Sequence, residues 1–92
     1  MEAKLLKVIK CGEEFTVNSE KSEGGILKKR NLVLQEIGGK YENQYVVSAL
    51  GTLATLQFKA NDLVFATMRF QYREYNGQAF QDITLTDIIK VD

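Results

Sequence analysis

The residues with the most chemistry to offer lie in one short run, REYNGQAFQDITL, residues 73–85. Arg73 supplies a planar cation, and Tyr75 and Phe80 supply flat π faces. Asn76-Gly77 between them is a strong signal for a two-residue hairpin turn. A finger of this kind can be plain architecture. It can also grip a ligand that presents negative charge and flat rings at regular intervals, as a single nucleic-acid strand does.

The other cations a phosphate chain could meet are Lys28, Lys29 and Arg30, the only basic run, together with Arg69, and Tyr45 is a further candidate ring. Each has a plain structural alternative. A lysine pair on a strand is commonly solvated surface. Arg69 and Arg73 are placed to pair across strands with Glu74, Asp82 or Asp87. Phe80 and Tyr45 are read first as core or interface residues and only second as stacking rings. Tyr75 has the strongest functional case, because it precedes the hairpin tip on the polar face of its strand. Glu13, Glu14, Glu20 and Glu23 lie near the first loop and would repel a phosphate chain there.

Nothing in the chain assembles into a catalytic or metal centre. Histidine is absent and Cys11 is the single cysteine, which excludes an intrachain disulfide and a thiolate cluster built by this chain alone. Cys11 is expected to be a small buried residue near a strand. NSEKSEGG, residues 18–25, lacks the glycine spacing ahead of Lys-Ser/Thr that a phosphate loop needs. The expectation is a protein that is not an enzyme and takes no cofactor or metal.

The chain has 92 residues, 45% of them hydrophobic and 26% charged, which points to one domain over 1–92. Its 12 basic and 12 acidic residues cancel. Phosphate contacts supply most of the affinity of unspecific nucleic-acid binders. A neutral chain can therefore bind a strand only by gathering its cations on one face. The start, MEAKLLKVIKCG, is interrupted by Lys4, Lys7 and Lys10, unlike a signal peptide, and no run is long enough to cross a bilayer. A reducing, cytoplasmic setting without a membrane partner is the default expectation.

The elements that must position these residues read as strands. A first strand covers 4–11 and continues over 14–17 past Gly12, a candidate bulge. A polar loop over 18–25 leads to a second strand over 26–37, a Gly38-Gly39 turn and a third strand over 41–50. Leu53 and Leu56 at helical spacing predict a two-turn helix within 51–58, followed by a turn at 60–62. A fourth strand over 63–75 alternates cleanly. Val64, Ala66, Met68, Phe70 and Tyr72 form its expected core face, and Phe65, Thr67, Arg69, Gln71, Arg73 and Tyr75 form the other. A fifth strand over 78–91 brings Ile83, Leu85 and Ile89 as expected core. The order β-β-β-α-β-β, an all-β fold with one short helix, supplies the parts of the five-stranded OB-fold Greek-key barrel. A six-stranded SH3-like barrel or a small α+β sandwich uses similar parts, but the position of the helix favours the OB-fold.

The segments ALGTLATL, KANDLVFATMRF and REYNGQAFQDITL resemble, in order and spacing, the bacterial single-stranded DNA-binding protein family. The resemblance covers the C-terminal half well and the N-terminal third by pattern only. It is closer still to a group of short, single-domain bacterial OB-fold relatives of unknown function, through Lys28-Lys29 and Arg73-Glu74-Tyr75-Asn76-Gly77. The resemblance implies a stacking role for Tyr75. Gln44 and Leu50 stand where the family has further stacking aromatics. Gln78-Ala79 and Leu27 stand where the short relatives have Arg-Trp and Trp. Each stacked base is worth about 1–3 kcal/mol. The loss of two platforms should therefore lower affinity markedly.

Two functions follow as expectations. In the first, an OB-fold module binds single-stranded DNA, with RNA as the second option, at low sequence specificity. Lys28, Lys29, Arg30, Arg69 and Arg73 would meet phosphates, and Tyr75, Tyr45 and Phe80 would offer rings. In the second, the barrel is an interaction or assembly module without nucleic-acid binding. It would form a homo-oligomer through outward Phe65 and Val33, or through the apolar first strand with Leu5, Leu6, Val8 and Ile9.

Overall fold

The computed structural model of the chain describes residues 2–20, 23–38 and 42–91. Among the described residues six strands are present: β1 (Lys4–Cys11), β2 (Phe15–Asn18), β3 (Ile26–Glu36), β4 (Gln44–Leu50), β5 (Leu63–Tyr75) and β6 (Gln78–Lys90). They form one sheet in the order β1-β5-β6-β4-β3-β2, and a further β1–β3 pairing closes it into a barrel. The pairs are antiparallel except β4–β6, which meet in parallel at Ser48 and Thr84. The chain has the OB-fold, with β1 and β2 as the two halves of the expected first strand.

The break between those halves falls at Gly12. Its N–H donates to the Asn31 carbonyl at 2.8 Å, and a Cβ at this position would stand 2.9 Å from that oxygen. Only glycine permits the approach. Earlier in β1 the register slips between Val8 and Lys10. Asn61 fills the slip, donating its N–H to the Val8 carbonyl at 2.7 Å, while Val8 N–H donates to the Asp62 carbonyl at 2.8 Å. The turn at 60–62 is thereby tied to the first strand.

Inward residues of every long strand make the core: Leu6, Val8, Leu32, Leu34, Val47, Ala49, Val64, Ala66, Met68, Leu85 and Ile88. A short 3-10 helix, Gly51–Thr55, brings buried Ala54 against β3 and β4. The sequence predicted two turns here, but the helix ends sooner and Leu56 is already extended. The Thr55 hydroxyl donates to the Thr52 carbonyl at 2.6 Å, the kind of local bond with which threonine competes against a continuing helix.

Three core assignments need correction. Ile89 is exposed and Ile88 is buried in its place. The β5–β6 register shifts between Thr67 and Met68, so that Thr67 opposes Asp87 while Met68 opposes Leu85. The extra residue, Thr86, donates its hydroxyl to the Thr67 carbonyl at 3.0 Å. One inserted residue moves every later side chain to the other face. Phe70 and Tyr72, expected inside, are 47% and 70% exposed. The β5–β6 ladder continues beyond the barrel wall to Tyr75–Gln78, where Asn76 and Gly77 turn with φ of 51° and 79°. Positive φ at both central residues is the turn that Asn-Gly predicts. The third strand begins at Gln44. Gly39 and Tyr41, placed by the sequence in the preceding turn and strand, lie outside the described residues.

Candidate nucleic-acid interface

Alternation along β3 settles where each of its cations points. Leu32 and Leu34 face inward, so Arg30 does as well. Arg30 is only 5% exposed. Its Nε donates to the Ala54 carbonyl at 2.8 Å and its Nη1 to the Gly12 carbonyl at 2.7 Å, with Cys11 Sγ at 3.9 Å from the same nitrogen. Arg30 therefore pins the 3-10 helix and the Gly12 break to the barrel end and is not open to a phosphate. Lys29 faces outward. Lys28 is exposed but alternates to the opposite side of the β2–β3 ribbon.

The outward side of β3 and β4 is ordered by register. Phe15, Lys29 and Leu50 form one row across β2, β3 and β4. Asn31, Ser48, Thr84 and Arg69 form the next across β3, β4, β6 and β5. Ser48 Oγ donates to Asn31 Oδ1 at 3.3 Å within that row. A groove lined by Lys10, Cys11, Gly12, Glu13, Phe15 and Asn31 opens beside it. Phe15 was not singled out from the sequence, because a lone phenylalanine after two glutamates reads as ordinary strand. Only its register opposite Lys29 makes it a neighbour of the cation.

Beyond Arg69 the same side continues along the hairpin. Gln71, Arg73 and Tyr75 on β5 oppose Asp82, Phe80 and Gln78 on β6. The Arg73 guanidinium lies 4.9 Å from the Phe80 ring centroid, and its Nε donates to Asp82 Oδ2 at 2.8 Å. The expected cross-strand pairing thus exists for Arg73. Among the described residues Arg69 makes no ion pair. Tyr75, at 65% exposed, stands by the tip.

Tyr45 does not join this side. It packs against the core, 6.1 Å between ring centroids from Phe70, and its hydroxyl donates to Glu36 Oε2 at 2.9 Å. Lys4 Nζ donates to the same oxygen at 3.1 Å and lies 5.9 Å from the Tyr45 ring centroid. The tyrosine hydroxyl first, and Lys4 second, hold the Glu36 carboxyl below its ordinary range. The bond to Glu36 likewise raises Lys4. The structure therefore brings Lys29, Arg69, Arg73, Phe80 and Tyr75 to one side, adds Phe15, and leaves Lys28, Arg30 and Tyr45 elsewhere.

No family model and no curated protein matches the sequence. A solved structure that resembles the fold is the solution NMR structure of the second OB-fold domain of replication protein A from Methanococcus maripaludis. The TM-score is 0.73 at 14% identity, over 100% of this chain and 85% of that one.

Proposed function

We propose that the side of the barrel running from Phe15 and Lys29 to the hairpin tip binds single-stranded nucleic acid, DNA before RNA, with low sequence specificity. The observation that carries it is the placement of exposed rings beside cations on one sheet face: Phe15 next to Lys29, Phe80 beneath Arg73, and Tyr75 at the tip. Proteins that bind single strands without sequence preference combine a cationic track with rings on which bases stack. The fold adds support, because OB-folds take oligonucleotides on the face of their second and third strands, here β3 and β4, and on the flanking loops. Arg73 would have to exchange Asp82 for a phosphate or keep both. That makes it the weakest of the three cations.

Three cations set the salt dependence. Binding to a single strand changes with a slope of about −0.7 per phosphate neutralised, so log K against log salt should fall with a slope near −2. Anisotropy of a fluorescent oligothymidine, titrated at several salt concentrations, measures this directly. Tyr75→Ala should weaken binding by about 1–3 kcal/mol without changing the fold. No binding at low salt and high micromolar protein would overturn the proposal, and unchanged affinity in Tyr75→Ala would remove that residue from the site. An oligouridine run in parallel ranks RNA against DNA.

A further inference from the structure

On the outer face of β1, β5 and β6, Leu5, Phe65 and Ile89 stand in one row across three hydrogen-bonded strands. They are 40%, 44% and 60% exposed. Exposed Leu63 adjoins the row, opposite Lys7 on β1 and bonded through its carbonyl to Val91 N–H at 2.8 Å. Thr67 adjoins it on the other side, opposite Asp87 on β6. Single exposed apolar residues are ordinary on a protein surface, whereas a contiguous apolar row with a charged rim gives a partner apolar surface to cover. The bulge at Thr86 creates this patch, because it turns Ile89 outward beside Phe65.

The charges at its rim specify the occupant. Phe65 is at the centre. Lys7 lies two residues along β5 in one direction and one strand to one side, and Asp87 lies equally far in the other direction and to the other side. Among the described residues, neither makes an ion pair within the chain. A face whose cation and anion sit diagonally about an apolar centre is complementary to itself. A two-fold axis lying in the interface, passing by Phe65 and perpendicular to the Lys7–Asp87 diagonal, sets each lysine against the aspartate of the other copy.

We infer that the outer face of β1, β5 and β6 takes a second copy of this chain. Phe65 stacks on its own counterpart at the axis, and two Lys7–Asp87 pairs close the rim. The apolar row is smaller than the roughly 800 Å² per partner of a standard interface, so the dimer is a weak one that forms with rising concentration. Along β5 the patch adjoins the proposed strand-binding side, since Thr67 lies two residues from Arg69 on the same face, but Leu5, Phe65 and Ile89 are not part of that side and the inference does not depend on nucleic-acid binding.

Sedimentation equilibrium over a wide concentration range tests the inference. The chain should pass from monomer to dimer. Phe65→Glu should weaken the dimer by about a hundredfold or more, since the axis repeats the central contact in both copies. K7D and D87K should each weaken it several-fold, and the double exchange should restore it. Placing cysteine at Phe65 in a Cys11→Ser background should give a disulfide-linked dimer on oxidation, because a residue at the axis adjoins its own copy. Circular dichroism checks that each variant folds, and Ile89→Lys replaces Phe65→Glu should the latter not fold. A chain monomeric at its highest soluble concentration would overturn the inference. So would a dimer indifferent to Phe65→Glu, or a double exchange that fails to restore association.

Discussion

The two halves of β5 obey one alternation and meet opposite fates. In the first half Val64, Ala66 and Met68 are buried in the barrel. In the second half Phe70 and Tyr72, on the same side of the same strand, are exposed. The side chains do not differ in a way that predicts this, since Phe70 is more apolar than Ala66. What differs is the cover. β1 pairs with β5 only as far as Ala66, opposite Lys4, and the hairpin then runs on past it, with Phe70 against the Tyr45 ring yet still exposed. A period of two reports that residues share a sheet face. It does not report whether anything lies against that face.

The widest contrast should appear in stability. Leu34→Ala, in the closed barrel, should cost about 2–5 kcal/mol through lost burial and a residual cavity. Tyr72→Ala, on the open hairpin, should stay within about 0.5 kcal/mol. Urea midpoints followed by circular dichroism compare them, and equal losses would mean that the hairpin is covered in solution. A narrower contrast separates the two arginines. Arg30→Met leaves the Ala54 and Gly12 carbonyls without their donor and should cost about 1–3 kcal/mol of stability while leaving strand binding of the folded protein unchanged. Arg69→Met should leave stability unaltered and lower the salt slope of binding by about 0.7. The smallest effect concerns Glu36. Its folded carboxyl titrates below the ordinary range, so its bonds to Tyr45 and Lys4 stabilise the fold above that range. That contribution is lost as pH falls from the ordinary carboxylate range through the lower folded value. Glu36→Gln should flatten the acid limb of a stability–pH curve and leave its neutral plateau nearly level.

Much of the fold is legible in the chain. Asn76-Gly77 specifies its turn chemically, Gly12 marks a break that no other residue permits, and the strand order identifies the barrel. The misplacements share one cause. Ile88 and Ile89 exchange roles because the bulge at Thr86 is a property of the β5–β6 pairing, and a single strand carries no mark of it. Arg30 reads as a third surface cation after Lys28 and Lys29, and becomes a buried clamp only when Ala54 and Gly12 arrive from other parts of the chain. Tyr45 reads as a base platform and is occupied by Glu36, nine residues away in sequence. Phe15 went unnoticed because its value lies in the lysine across the ladder.

By itself, then, the sequence determined the elements, the tight turn and the absence of net charge, since these follow from local conformational preference and composition. Tertiary structure decided which of the cations and rings share a surface. That depends on register and closure between strands far apart in the chain, where one inserted residue reverses a face and one missing neighbour leaves it open to water.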